Sequence, residues 1–130
     1  MPRPKHEHPT PGELEVLRIL WERSPLSVRE VMEVLNRRRP RAYTSVMSLL
    51  NVMTDKKLLA REARGRAFVY KPRTDRGRTL GRMVGDLLGR AFEGSTTQLV
   101  AHLLDQTKPS AAELEEIRRT IRDYQQQRSK

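Results

Sequence analysis

The 130-residue chain has no cysteine, few aromatic side chains (5%) and no long apolar run. Without cysteine there is no disulfide framework, no thiolate catalysis and no Cys-rich zinc or copper site. No segment approaches the roughly 18 consecutive apolar residues of a bilayer span, so no membrane insertion is expected. The opening Met1-Pro2-Arg3-Pro4-Lys5 lacks the apolar stretch of a secretory signal, which points to a cytoplasmic location. Also missing are a Ser/His/Asp arrangement, a phosphate-cradling glycine loop and a clustered carboxylate pair. No enzyme and no cofactor is expected. His6-Glu7-His8 has ligand-type side chains but sits among prolines, so no metal is expected either, and Glu113, Glu115 and Glu116 read as charges favoured at a helix start.

What the chain has in excess is positive charge. Lys and Arg number 26 against 16 Asp and Glu, a formal net charge of +10. Residues 1–79 hold 18 of the cations and 9 of the acids, so nearly all the excess lies there. A one-sided positive field suits a polyanion, either nucleic acid or an anionic membrane surface. An Arg-rich solvated surface is the alternative.

Local signals give the architecture. Residues 1–9, with three prolines and no apolar periodicity, read as a flexible arm. Thr10-Pro11-Gly12-Glu13 is a helix start, with Thr as the cap, Pro in the first turn and Glu reaching back. The stripe Leu14, Val16, Leu17, Ile19, Leu20 and Trp21 predicts a helix over about 11–23, broken at Ser24-Pro25. Ser27-Val28-Arg29-Glu30 repeats the capping signal, and Val28, Val31, Met32 and Leu35 predict a second helix over 28–37. Val46, Leu49, Leu50 and Met53 predict a third over 43–56, facing inward. Its opposite side carries Thr44, Met47, Ser48, Asn51 and Asp55, flanked by Ser45 and Val52. A solvated helix face would carry Lys and Glu instead. Residues 58–63 and 67–71 then read as strands flanking Arg64-Gly65-Arg66, a hairpin closed by Pro72. Three helices and a hairpin with a positive tip describe a winged helix-turn-helix over residues 10–72.

From 73 to 130 the character changes. Leu80, Met83, Val84, Leu87, Leu88, Ala91 and Phe92 form a helical apolar series. Leu99, Val100, Leu103 and Leu104 lie on a short helix over 96–105. Ser110-Ala111-Ala112-Glu113 is a third capping box before Leu114, Ile117, Ile121 and Tyr124. About fifty residues in three amphipathic helices make little core of their own, being near the roughly 40-residue limit for independent folding. They either pack back on the winged helix or meet a second copy. The expectation is a dimerisation region centred on Leu80, Val84, Leu87, Leu88, Leu99, Leu103, Leu114, Ile117 and Ile121, because two-fold dimers dominate homo-oligomers. The fold class is mainly α with a small β-hairpin wing.

Four stretches together resemble the penicillinase-repressor (BlaI/MecI type) winged-helix regulators. They are Gly12-Glu13-Leu14-Glu15-Val16-Leu17 with Leu20-Trp21, Leu26-Ser27-Val28-Arg29-Glu30-Val31, Ala42-Tyr43-Thr44-Ser45-Val46-Met47-Ser48-Leu49-Leu50, and Gly65-Arg66-Ala67-Phe68-Val69-Tyr70. The resemblance implies a homodimer on double-stranded DNA at an inverted-repeat operator, repressing β-lactam resistance or envelope-stress genes. It also implies a membrane sensor protease as partner, whose signal leads to cleavage of the repressor. Thr44, Ser45, Met47 and Ser48 match the recognition-helix positions that meet the operator, and Arg64 and Arg66 match the wing. The family usually carries arginine where Val52 sits and glycine where Lys57 sits. His102-Leu103 stands where the best-known members have their Asn-Phe cleavage pair, and the cysteine cluster of the copper-responsive branch is absent.

On this reading Asn51 suits an adenine edge and Met47 a thymine methyl, while Arg41 and Arg37 to Arg39 lie where phosphates enter. Tyr43 at the helix start is counted with the interface, although packing there is its commoner role. Ser45, Ser48 and Asn51 have plain solvation as their alternative, and Met47 has gap filling. Such a protein associates with the nucleoid. A basic architectural DNA-binding protein with little sequence specificity is the competing reading.

Overall fold

The computed structural model describes residues 8–129; most of the expected 1–9 arm, with His6 and Glu7, lies outside them. The elements in chain order are α1 (Pro11–Glu22), β1 (Leu26–Ser27), α2 (Val28–Leu35), α3 (Tyr43–Asp55), β2 (Leu59–Arg64), β3 (Ala67–Pro72), α4 (Arg76–Phe92), α5 (Thr96–Thr107) and α6 (Ala111–Arg128). They form two compact units, one up to Val84 and one from Gly85. That boundary falls inside α4, whose first turn buries Thr79.

Caps start the first two helices as the residue spacing predicts. The Thr10 hydroxyl accepts the Glu13 N–H at 3.2 Å, and the Glu13 carboxylate accepts the Thr10 N–H at 2.9 Å. Ser27 and Glu30 repeat the arrangement at the same two distances. At α6 only half of the expected box forms, with Ser110 accepting the Glu113 N–H at 3.1 Å.

The core of the first unit gathers the inward faces of the three helices. Val16, Leu17 and Leu20 from α1, Val28, Val31 and Leu35 from α2, and Val46, Leu50 and Met53 from α3 meet Leu26, Leu59 and Tyr70. Met32 and Leu49 pack at its edge. The hairpin forms one residue later than the hydrophobic pattern suggested, with Arg64 paired to Ala67 and the turn reduced to Gly65 and Arg66. Gly65 has φ +64, as a two-residue hairpin turn demands at one central position or both.

A third strand escaped the sequence reading. The two-residue β1 pairs with β3, placing β3 in the centre of the order β1-β3-β2. Pro72 is tolerated on this central strand for a reason of register. Arg73 donates its N–H to the Leu58 carbonyl at 3.0 Å, so the adjoining Leu59/Pro72 pair is the non-hydrogen-bonded kind. The missing N–H thus faces away from β2, beyond the end of β1.

Two features tie the end of α3 to the rest. Glu13 is 2% exposed and its other carboxylate oxygen accepts from Lys56 Nζ at 2.8 Å, joining the start of α1 to the C-cap of α3. Lys57 then turns the chain in the left-handed region, at φ +67, while the Leu58 N–H donates to the Met53 carbonyl at 2.9 Å. That is the usual place of a helix-ending glycine, the residue that the resemblance implies at this position.

The second unit has no comparable interior. None of its described residues is buried, and Leu87, Val100, Leu103, Ile121 and Tyr124 are among its exposed large apolar side chains. Phe92 and His102 meet edge-to-face at 5.2 Å.

Replacing Lys57 with Gly should relieve the left-handed strain and raise stability by about 1 kcal/mol, read from chemical denaturation. Glu13→Gln should lower stability at pH 7 by about 2 kcal/mol. Burial pushes the Glu13 carboxyl up, but the Lys56 ammonium and the Thr10 bonds outweigh it and hold the group below its ordinary 4.5. A carboxyl lowered by folding contributes in full above its ordinary value and loses the contribution as pH falls from there through the lowered value. The gap between the natural protein and E13Q should therefore be full at neutral pH and close below 4.5.

Candidate nucleic-acid interface

Because α3 turns Val46, Leu50 and Met53 inward, its other face is left to solvent. Thr44, Ser45, Met47, Ser48 and Val52 are all exposed there, and Tyr43 stands exposed at the helix start. Ala42 provides no side-chain cap, so the first N–H groups of α3 have no protein side chain capping them. Short hydroxyl side chains and open backbone donors let a helix lie close to a phosphate backbone.

The wing completes the surface. The hairpin turn carries Arg66, and Arg64 ends β2 beside it, both exposed. Between α3 and the wing runs a groove of about 530 Å³, lined by Ser27, Val28 and Arg29, by Tyr43, Met47 and Asn51, and by Arg61, Arg66, Ala67, Phe68 and Tyr70. Arg61 lies 4.4 Å over the Phe68 ring, and Arg29 lies 5.9 Å from the Tyr43 ring. A guanidinium this close to a ring face is attracted by the ring's quadrupole. At the base of the groove Asn51 Oδ1 accepts from Tyr70 Oη at 3.2 Å and from Arg61 Nη1 at 3.4 Å.

The expected residues divide. Tyr43, Met47, Asn51 and Arg66 line the groove between α3 and the wing, while Thr44, Ser45 and Ser48 are exposed elsewhere on α3 and Arg64 at the end of β2. Arg41 does not present its charge there. Its Nη2 sits 3.2 and 3.1 Å from the two oxygens of Glu15 on α1, and the side chain is only 15% exposed. Its backbone N–H donates to Asn36 Oδ1 at 2.9 Å, which shapes the loop before α3. Arg37, Arg38 and Arg39 remain exposed.

Arg29, Arg61 and Phe68 were not among the residues singled out from the sequence. An exposed Phe two residues before the buried Tyr70, with Arg61 paired across from Tyr70, is a cross-strand signature once the hairpin register is known. Glu30 adds a local field. The Ser27 N–H and hydroxyl, then the charges of Arg23 and Arg64, lower its carboxyl from the ordinary value.

Two comparisons of the sequence point to one family. The sequence profile described as penicillinase repressor matches residues 9–123. The penicillinase repressor of Bacillus licheniformis is 23% identical over 113 residues, covering 87% of this chain and 88% of its own. The solution structure of the DNA-binding domain of the repressor BlaI shares 28% identity over 52% of this chain and 83% of its own, with a TM-score of 0.48. A MarR family protein from Bacillus stearothermophilus shares 20% identity over 94% and 76% of the two chains, with a TM-score of 0.49.

Arginine substitutions separate the two kinds of cation. Arg64→Ala or Arg66→Ala should each lower the slope of log affinity for DNA against log salt by about one per bound copy. Neither should move stability by more than about 0.5 kcal/mol. Arg41→Ala should do the reverse, costing about 2 kcal/mol of stability because Glu15 loses its partner, with the salt slope unchanged.

Proposed function

The chain belongs to the penicillinase repressor family of transcriptional repressors, and from that premise we propose that it is a homodimeric, sequence-specific repressor acting on an inverted-repeat operator. The observation that carries this reading is the α3 face: exposed, short, uncharged and polar, in a chain with a third of its residues charged. Thr44, Ser45, Met47 and Ser48 serve the major groove, while Arg64 and Arg66 track the adjacent backbone or minor groove. Residues 10–72 form the DNA-binding domain and 73–130 the dimerisation region.

Support for the dimer comes from the second unit and from α4. Helices that bury none of their own side chains gain stability only from an additional surface. Along α4, Gly77, Gly81, Gly85 and Gly89 recur every fourth residue, and a Cβ at Gly81, Gly85 or Gly89 would meet nothing within 4 Å. Each glycine in a helix interior costs about 1 kcal/mol relative to alanine, so nothing within a single chain favours the stripe. Close passage of a second helix over it does. The apolar side chains of the dimerisation set, Leu80, Val84, Leu87, Leu88, Leu99, Leu103, Leu114, Ile117 and Ile121, then find cover. A dimer also doubles the DNA contacts and fixes the spacing of half-sites.

The regulated genes on this reading are those of β-lactam resistance or envelope stress, with a membrane sensor protease as the inducing partner. Among the described residues no helix is long and apolar enough to cross a membrane. His102-Leu103 lies inside α5. Proteases take extended segments, so cleavage at this pair requires α5 to unwind.

Selection from a random duplex pool by the full chain tests the reading. A palindromic winner, bound at least about a thousandfold more tightly than scrambled DNA at physiological salt, is the expected result. Tight, salt-sensitive binding to every sequence would instead identify an architectural DNA-binding protein.

A further inference from the structure

We infer that Asn51 is a specificity-determining residue that reads a keto base, guanine or thymine, because Tyr70 and Arg61 hold its amide with only the NH₂ group presented to the groove. The inference rests on the sequence-specific reading above and adds to it which edge one α3 side chain recognises.

A guanidinium only donates hydrogen bonds, so the Asn51 atom 3.4 Å from Arg61 Nη1 is the oxygen and not the nitrogen. The same oxygen accepts the Tyr70 hydroxyl at 3.2 Å. An amide oxygen has two lone pairs, and both are occupied. One partner is fixed in the core and the other is exposed on β2. Tyr70 is 2% exposed within the core, and the Arg61 guanidinium is stacked 4.4 Å over Phe68. Asn51 itself is half-buried and lines the groove between α3 and the wing, one turn along the helix from Met47 and Ser48.

Bidentate recognition of adenine needs an asparagine to donate to N7 and accept from the N6 amino group at once. The accepting half of that pattern is unavailable here. What Asn51 offers is two N–H donors, which match edges made of acceptors, the N7 and O6 of guanine or the O4 of thymine. Cytosine, with its amino donor, faces donor against donor. Tyr70 and Arg61 are positioning residues in this scheme: they touch no base and set which half of the amide is presented. The adenine pairing that the asparagine suggests from sequence alone is thus replaced by its complement.

The test is the random-pool selection repeated with the natural chain, Asn51→Ala and Tyr70→Phe, each checked by thermal unfolding and followed by affinities for single-base variants of the winner. The natural protein is expected to select guanine or thymine at one position per half-site. N51A should lose about tenfold of the discrimination at that position alone. Y70F keeps the ring in the core but frees one lone pair, so adenine should gain at the same position while the rest of the motif stays. A change in base preference, unlike a general loss of affinity, is not produced by loosened packing. The inference is overturned if the Asn51-dependent base is adenine in the natural protein, if N51A leaves every position unchanged, or if Y70F selects an identical motif. A pool with no enriched motif overturns the repressor reading, and this one with it.

Discussion

The burial of Val46, Leu50 and Met53 decides where every other side chain of α3 points. The three are 1%, 0% and 0% exposed. Each contributes about 1.5–3 kcal/mol by leaving water, more than any polar preference along the helix can oppose. Rotating α3 to hide Met47 or Val52 would expose them. The recognition face is therefore a by-product of core packing, held at one end by the Glu13–Lys56 pair and at the other by the loop that Asn36 and Arg41 tie down. Asn51 adds a side brace to the wing through Tyr70 and Arg61. A helix fixed at both ends and along its side meets DNA with little conformational entropy left to lose.

What the sequence made legible was local. Thr10/Glu13 and Ser27/Glu30 lie three residues apart, so their caps could be read directly. The apolar stripes of α1, α2 and α3 follow the helical period, and Gly65 marks the hairpin. What stayed hidden depends on partners distant in the chain. Arg41 looks like one more cation in an arginine cluster until α1 brings Glu15, 26 residues earlier, against it. Glu13 reads as a capping residue, and nothing near it in sequence foretells Lys56, 43 residues on. Asn51 looks like an adenine reader until strand register sets Tyr70 against its oxygen. The two-residue β1 has no period to detect. The α4 glycines were legible at a spacing of four, but glycine enters no hydrophobic stripe, so a search for apolar periodicity passes over them.

The two units represent different stability problems. The first closes a core from three helices and a sheet, and its own side chains cover it. The second carries apolar residues without a core, and on the dimer proposed above the free energy of ordering its helices comes from association. In such an arrangement folding of the C-terminal helices and assembly are one equilibrium. A signal that weakens the contact between copies need not touch the DNA surface. It acts by halving the number of phosphate contacts that one particle makes, and affinity for an operator falls steeply with that number.

The net charge of +10 overstates what DNA meets. Arg41 and Lys56 are committed to Glu15 and Glu13, and serve the fold. Arg90, Arg118 and Arg122 pair with acids in the second unit. At physiological ionic strength charges act over about 8 Å, so only cations close to α3 shape the potential there. On the reading proposed above the effective set is small and placed: Arg29 and Arg61 beside rings in the groove, Arg64 and Arg66 at the wing tip. On that reading this placement also keeps the binding selective. A uniformly basic surface gains from any duplex in any register, whereas a few oriented guanidinium groups around an uncharged α3 face reward the register in which the short side chains reach base edges. The low charge of that face is thus what allows the surrounding arginines to supply affinity without erasing the choice of sequence.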